Sequence, residues 1–166
     1  MSEMVEKARK YELEKSMKVA QDDRPVYHFS NPVGWMNDPN GFSDYKGEHH
    51  LFFQYYPYAT HWDSMHWGHA KSADFIKWEY LPTALAPDQD YDNFGVFSGS
   101  AIEDGEKQIL IYTGVEEKVI ENGKKCIRQN INRYPDHTCN TLKNILKKLF
   151  QHKFAISFPD SAKVCS

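Results

Sequence analysis

Residues 41–81 run GFSDYKGEHHLFFQYYPYATHWDSMHWGHAKSADFIKWEYL, and the spacing of apolar residues in this stretch decides the fold class. Short runs of Leu, Phe, Tyr and Trp are broken by polar turn formers, a strand period rather than a helical one. The pattern predicts strands over 41–45, 49–56, 66–72 and 76–81. Tyr45-Lys46-Gly47 supplies a hairpin turn, because glycine accepts the positive φ that tight hairpins require. Four strands in immediate succession are enough for one blade of a propeller.

The same pattern continues toward the C-terminus, with strands predicted over 96–102, 107–113 and 124–129 and turns at Asp104-Gly105 and Asn122-Gly123. The fold class is all-β. Even spacing of short antiparallel strands fits a sandwich, a barrel or a propeller. No sequence repeat is visible to choose among them. Residues 24–114 hold 19 of the 24 aromatic residues and all four tryptophans, which marks this region as the core-forming part.

The flanks read differently. Residues 1–21 are rich in Glu, Lys, Ala and Met, with Val5, Ala8, Leu13, Met17 and Ala20 at loose helical spacing. One helix is predicted there, ended by Arg24-Pro25 because the residue before proline is pushed out of the helical region. Residues 131–166 contain no glycine and carry six Lys or Arg against two Asp. Leu142, Ile145, Leu146, Leu149 and Phe150 fall on helical spacing beside Lys143, Lys147 and Lys148. The predicted organisation is therefore a helical segment over 1–23, a β region over 24–130 and a divergent tail over 131–166. The tail is expected to be helical or irregular and to lie outside the preceding fold, as an out-of-frame or prematurely ended coding region would leave it.

The net charge of −3 offers no electrostatic reason for a nucleic-acid or anionic-membrane partner. Three cysteines cannot all pair, and the charged N-terminus has no apolar stretch of the signal-peptide kind. Both point to a reducing, cytoplasmic setting. No apolar run approaches the roughly 20 residues that span a bilayer.

The chemistry is concentrated around Trp35-Met36-Asn37-Asp38-Pro39-Asn40-Gly41, read as a tight, turn-rich loop that projects a carboxylate from a rigid scaffold. Gln54, Trp62, Trp67 and Ser98 follow in apolar contexts where amide, indole and hydroxyl groups need partners. Aromatic faces with a few polar groups are how proteins hold sugars.

Five ordered stretches carry a resemblance: YHFSNPVGWMNDPNG (27–41), HLFFQYYP (50–57), HWGHAKSADFIKWEYLPTALAP (66–87), FSGSA (97–101) and IYTG (111–114). Together they resemble the N-terminal portion of glycoside hydrolase family 32, the invertases and sucrose-6-phosphate hydrolases. The resemblance implies part of a five-bladed β-propeller, its first blade and most of its second. It implies a β-fructofuranosidase that splits sucrose or sucrose 6-phosphate with retention. Asp38 matches the family's nucleophile, which forms a covalent fructosyl intermediate. Asn37, Gln54, Trp62 and Ser98 match the fructose pocket, with Trp35, Met36 and Phe97 shaping it.

Retaining glycosidases work with two carboxyl groups about 5–5.5 Å apart. The family's acid/base glutamate sits in a Glu-Cys motif and its transition-state aspartate in an Arg-Asp-Pro motif. Neither motif occurs in these 166 residues. The resemblance therefore implies a truncated hydrolase that is inactive alone, the alternative being a non-catalytic fructoside-binding remnant. No cofactor and no metal site are expected. His66 and His69 lie three apart on a strand, where side chains point to opposite faces. Glu79, Asp63 and Asp92 read as surface or hydrogen-bonded structural residues, and Trp78 as core. Oligomeric state has no sequence signal.

Overall fold

The computed structural model describes residues 2–119 and 125–134. Among the described residues, one α-helix, a single 3-10 turn at Gln21–Asp23 and seven strands occur: α1 (Glu3–Ser16), β1 (Trp35–Tyr45), β2 (Glu48–Tyr56), β3 (His66–Ser72), β4 (Glu79–Leu85), β5 (Gly95–Asp104), β6 (Lys107–Val119) and β7 (Lys125–Tyr134). They form two antiparallel sheets, β1-β2-β3-β4 and β5-β6-β7. Within each sheet every strand pairs with the next in sequence, so each is a meander of the kind that makes a propeller blade.

Lys46 and Gly47 turn β1 into β2, both with positive φ, as a two-residue primed hairpin requires. Gly105 does the same between β5 and β6. The predicted Asn122-Gly123 turn and residues 135–166 of the predicted tail lie outside the described residues. β7 runs through position 130, the expected end of the β region, and pairs as far as Leu110↔Tyr134.

The sheets pack face to face over a core of Phe52, Trp67, Leu85, Val96, Leu110 and Tyr112. Their first strands, β1 and β5, run side by side. Away from these strands the sheets diverge around a groove of about 310 Å³ lined by Arg9, Phe52, His69, Leu81, Gln108 and Leu110, among others.

The other face of the first sheet is covered by chain N-terminal to it. Ser2 caps α1 by accepting the Val5 N–H at 3.2 Å, with Glu3 and Glu6 in the first turn, where the helix dipole favours negative charge. The helix is shorter than the predicted 1–21 and docks through Val5, Ala8 and Glu12, while Leu13 and Met17 stay in solvent. The buried Glu12 carboxylate accepts the Thr83 hydroxyl at 2.8 Å and the Thr83 N–H at 3.2 Å. Arg9 Nε donates to the Thr83 carbonyl at 3.0 Å. A hydrophobic stripe alone would not find this docking, because its third anchor is charged.

Residues 24–34 continue across the same face. Arg24 donates to the carbonyls of Asn31 and Pro32 at 3.3 and 2.9 Å. Phe29 packs edge-on against Phe53 and Trp78. Trp78 is only half-buried and precedes β4, correcting its reading as a core strand residue. The cause is the turn before it. Asp74 Oδ1 accepts the N–H groups of Ile76 and Lys77 at 2.9 and 2.8 Å, and Phe75 takes a positive φ. That turn delays β4 to 79–85, against the predicted 76–81.

Candidate active site

The Trp35–Gly41 motif is not a loop. It forms the first half of β1, an edge strand whose ladder, among the described residues, pairs with β2 alone. An edge strand tolerates Pro39, which has no N–H to offer a second neighbour. The turn-forming residues are absorbed in two β-bulges. Met36 pairs with Tyr55 and Pro39 with Phe53, so Asn37 and Asp38 together oppose the single residue Gln54. Asn40 pairs with Phe52 and Ser43 with His50, so Gly41 and Phe42 together oppose Leu51. Bulges re-aim side chains and recur beside active sites. Here the first one turns Asn37 and Asp38 into solvent.

Gly41 lies in the second bulge with a φ of +49°, and a Cβ there would stand 3.0 Å from Phe52 and 3.2 Å from Ala101 and Trp67. Only glycine combines that backbone with so close an approach of β1 to β5.

A third bulge lies on β5. Phe97 pairs with Thr113 and Gly99 with Tyr112, which leaves Ser98 as the extra residue, exposed. Gly99 is again obligatory, since a Cβ would fall 2.0 Å from the Ile111 carbonyl oxygen. The Trp67 indole N–H crosses from the first sheet and donates to the Phe97 carbonyl at 3.1 Å.

Loops complete this end of the molecule. β1 and β5 both begin here, β2 runs into residues 57–65, and the Val96 N–H donates to the Met65 carbonyl at 2.9 Å. Trp62, 46% exposed, stands edge-on to Phe97 with centroids 6.1 Å apart and lies 6.3 Å from Phe94. Trp35 donates its indole N–H to Asn37 Oδ1 at 3.2 Å, while Met36 is half-buried.

The structure thus brings the expected residues together in two groups on adjoining strands. Trp35, Met36, Asn37, Asp38 and Gln54 belong to β1 and β2. Trp62, Phe97 and Ser98 form an aromatic wall and a hydroxyl on the loop and β5. Gln54 is buried, at 3% exposure. Its side chain serves Asn40: with the Asn40 amide oxygen turned toward it, Asn40 accepts Gln54 Nε2–H at 2.8 Å and N–H at 3.2 Å and donates to the Pro39 carbonyl at 3.3 Å. The opposite orientation offers only a 3.4 Å contact from the Gly99 N–H, so we assign the first. The sequence reading names Trp67 among the polar groups in need of partners and Asn40 within the Trp35–Gly41 motif, but gives neither a place in the fructose pocket. Their signal is visible there, a polar group in an otherwise apolar setting, but its target is not.

The carboxylates differ sharply in setting. Asp38 is exposed and has no hydrogen bond or ion pair with the described residues, which leaves both oxygens available to a ligand. Asp92 is buried and engaged: Oδ1 accepts the N–H groups of Asp88 and Gln89 at 3.0 and 2.8 Å, and Oδ2 accepts the Tyr112 hydroxyl at 2.8 Å. Burial holds Asp92 above the usual carboxylate range. Asp63 accepts its neighbour Ser64 N–H, and Glu79 pairs with Lys71. Asp63 and Glu79 are exposed, and Asp92 is tied into the fold.

His66 and His69 of β3 find separate partners. His66 Nδ1 donates to the Ser64 carbonyl at 2.8 Å, and His69 Nε2 shares a 2.8 Å hydrogen bond with His50 Nδ1. Burial pushes His66 down to about 4 and His69 down to about 3.

Residues 28–156 match the family description "Glycosyl hydrolases family 32 N-terminal domain". The chain belongs to glycosyl hydrolase family 32. Among its relatives, a sucrose-6-phosphate hydrolase of Zymomonas mobilis is 56% identical over 90 residues, 54% of this chain and 18% of the relative. A levanase of Bacillus subtilis is 49% identical over 100 residues, covering 60% of this chain and 14% of the enzyme. The fold agrees. A family 32 β-fructofuranosidase of Bombyx mori superposes with a TM-score of 0.65 at 42% identity, over 80% of this chain and 28% of that structure. A sucrose-6-phosphate hydrolase of Lactobacillus gasseri gives 0.62 and 38%, over 75% and 25%. The chain spans less than a fifth of the length of these curated relatives, and the two sheets described here are successive blades of an unclosed family 32 propeller. Among the described residues, no helix is long and apolar enough to cross a membrane.

Proposed function

We propose that this chain carries the nucleophile half of a β-fructofuranosidase site. In this reading Asp38 attacks the anomeric carbon of a fructosyl unit from sucrose or sucrose 6-phosphate, forming a covalent ester that water later opens with retention. Trp35, Met36, Asn37 and Gln54 line one side of the fructose pocket, and Trp62, Phe97 and Ser98 the other. The observation that carries the reading is the pairing of bulges on adjacent strands: Asn37 and Asp38 opposite Gln54 on β1, and Ser98 on β5. Both interrupt otherwise regular ladders, and both expose polar side chains.

By the same reading the chain alone does not turn over sucrose. Positioned proton transfer contributes typically 10²–10⁴-fold in rate, and electrostatic stabilisation of the transition state commonly contributes more than any other effect. The motifs that would supply both groups are absent from these residues. The odd cysteine count supports a reducing, cytoplasmic setting. Residues 131–134 continue β7, so the divergent tail of this reading starts no earlier than residue 135.

The test is sugar release from sucrose and from sucrose 6-phosphate by the purified chain, beside Asp38→Asn. No release from either protein is expected. Turnover by the unmodified chain that vanishes in Asp38→Asn would overturn the incompleteness, and turnover surviving that substitution would overturn the nucleophile.

A further inference from the structure

We infer that Trp67 is a positioning residue for the candidate site, acting through its indole N–H rather than through its bulk alone. This deepens the reading above and rests on it for its functional consequence. Trp67 is fully buried, with its ring 5.7 Å from Phe52 and 6.3 Å from Tyr112 between centroids. A tryptophan serving only as core filler needs no particular acceptor. This one sends its single donor out of its own sheet to the Phe97 carbonyl, 3.1 Å away, the residue before the β5 bulge.

A bulge leaves its extra residue outside the ladder, so the pairing of β5 with β6 does not by itself fix where Ser98 points. A donor from the neighbouring sheet does. The same ring also meets β1: its Cζ3 atom lies 3.2 Å from where a Cβ of Gly41 would stand, three residues beyond Asp38. One side chain therefore touches both bulged strands, and it fixes Ser98 and Phe97 relative to the strand that carries Asp38. Phe97 in turn holds Trp62, so the aromatic wall depends on the same contact.

The experiment compares Trp67→Phe with Trp78→Phe in the full ¹⁵N-labelled chain. Trp78 is the matched control, since its indole N–H also donates to a backbone carbonyl, that of Phe75 at 3.2 Å, but in the turn at the opposite end of the first sheet. Two readouts are taken: backbone amide resonances without ligand, and their response to added fructose. Trp67→Phe should shift the Ser98 and Gly99 amides and weaken the fructose response by about threefold to tenfold, the range that one neutral hydrogen bond gives. Trp78→Phe should leave those resonances in place and change the response by less than about twofold.

Unmoved Ser98 and Gly99 resonances in folded Trp67→Phe, or equal loss of response in both variants, would overturn the inference. If Trp67→Phe fails to fold, the unmodified chain still decides. A scalar coupling across the hydrogen bond between Trp67 Nε1 and the Phe97 carbonyl carbon supports the inference, and fast solvent exchange of that indole proton contradicts it. A chain whose resonances ignore fructose altogether would sink the proposed function, while the ligand-free shifts still judge Trp67.

Discussion

The two sheets differ in how they are held. The first is enclosed: its inner face packs on the second sheet, and α1 with residues 24–34 lies over the other. Within it, Trp67, Phe52 and Tyr55 are at most 1% exposed. The second sheet ends in β7, where none of Lys125–Gln129 is buried and Ile127 is half-exposed. The candidate site belongs to neither sheet alone. Its candidate residues lie on β1 and β2 of the first sheet and on β5 of the second, and β1 approaches β5 at Gly41 and Ala101. The contrast teaches that stability resides in the first sheet, whereas the site depends on how the second is registered against it.

The strongest way to break that contrast is Trp67→Ala. Removing a fully buried indole should cost about 3–5 kcal/mol, read as a lowered urea midpoint. A loss below about 1 kcal/mol would show that the enclosed core is not where stability lies.

Acid should act next, and again through the first sheet. His66 and His69 are held neutral at about 4 and about 3 against an ordinary 6.5. For a base with a depressed folded value, stability is fully present above pH 6.5 and lost as pH falls toward the folded value. Each histidine then contributes a slope of up to about 1.4 kcal/mol per pH unit. Glu12 and Asp92, raised by burial, work in the opposite direction: their contribution is present below their ordinary carboxylate values and lost as pH rises. Unfolding midpoints measured from neutral pH down to about pH 5 should therefore fall, and His69→Phe should flatten the slope. A midpoint independent of pH over that interval would contradict the burial of both rings.

Glu12→Ala is smaller. It strands the Thr83 hydroxyl and N–H and should cost about 1–3 kcal/mol, with the loss of protection from hydrogen exchange confined to α1 and β4. Ile127→Lys on β7 is smallest, within about 0.5 kcal/mol. A large loss there would mean that the second sheet is far better covered than its described residues show.

Much of this is legible in the chain itself. The centres of β2, β3, β5 and β6 follow from short apolar and aromatic runs bounded by turn formers, and over Phe52–Tyr55 β2 is buried on both faces. The motif bearing Asp38 reads as a loop for a physical reason: Asn, Asp, Pro, Asn and Gly are turn formers, and composition does not reveal an edge strand whose bulges accommodate them. The start of β4 is misplaced by pattern alone because Asp74 captures two backbone N–H groups where alternation suggests a strand. On α1, Leu13 and Met17 look like anchors, but Glu12 anchors instead, since its acceptor role is set by Thr83, 71 residues away. The residues around Asp38 are nameable in advance. That Asn40 ties β1 to Gln54, and that Trp67 reaches the Phe97 carbonyl, are facts of long-range geometry that no local pattern encodes.

The central claim is that Asp38 is a nucleophile presented by a bulge, and an activated donor tests it without the missing acid. Fructosyl fluoride has a leaving group that departs without protonation, so attack by Asp38 needs no second carboxyl group. After incubation with the full chain, intact-mass and peptide mass spectrometry should show one added fructosyl unit, located on the peptide containing Asp38 and absent from Asp38→Asn. A folded chain that gains no adduct, or gains the same adduct in Asp38→Asn, would contradict the account.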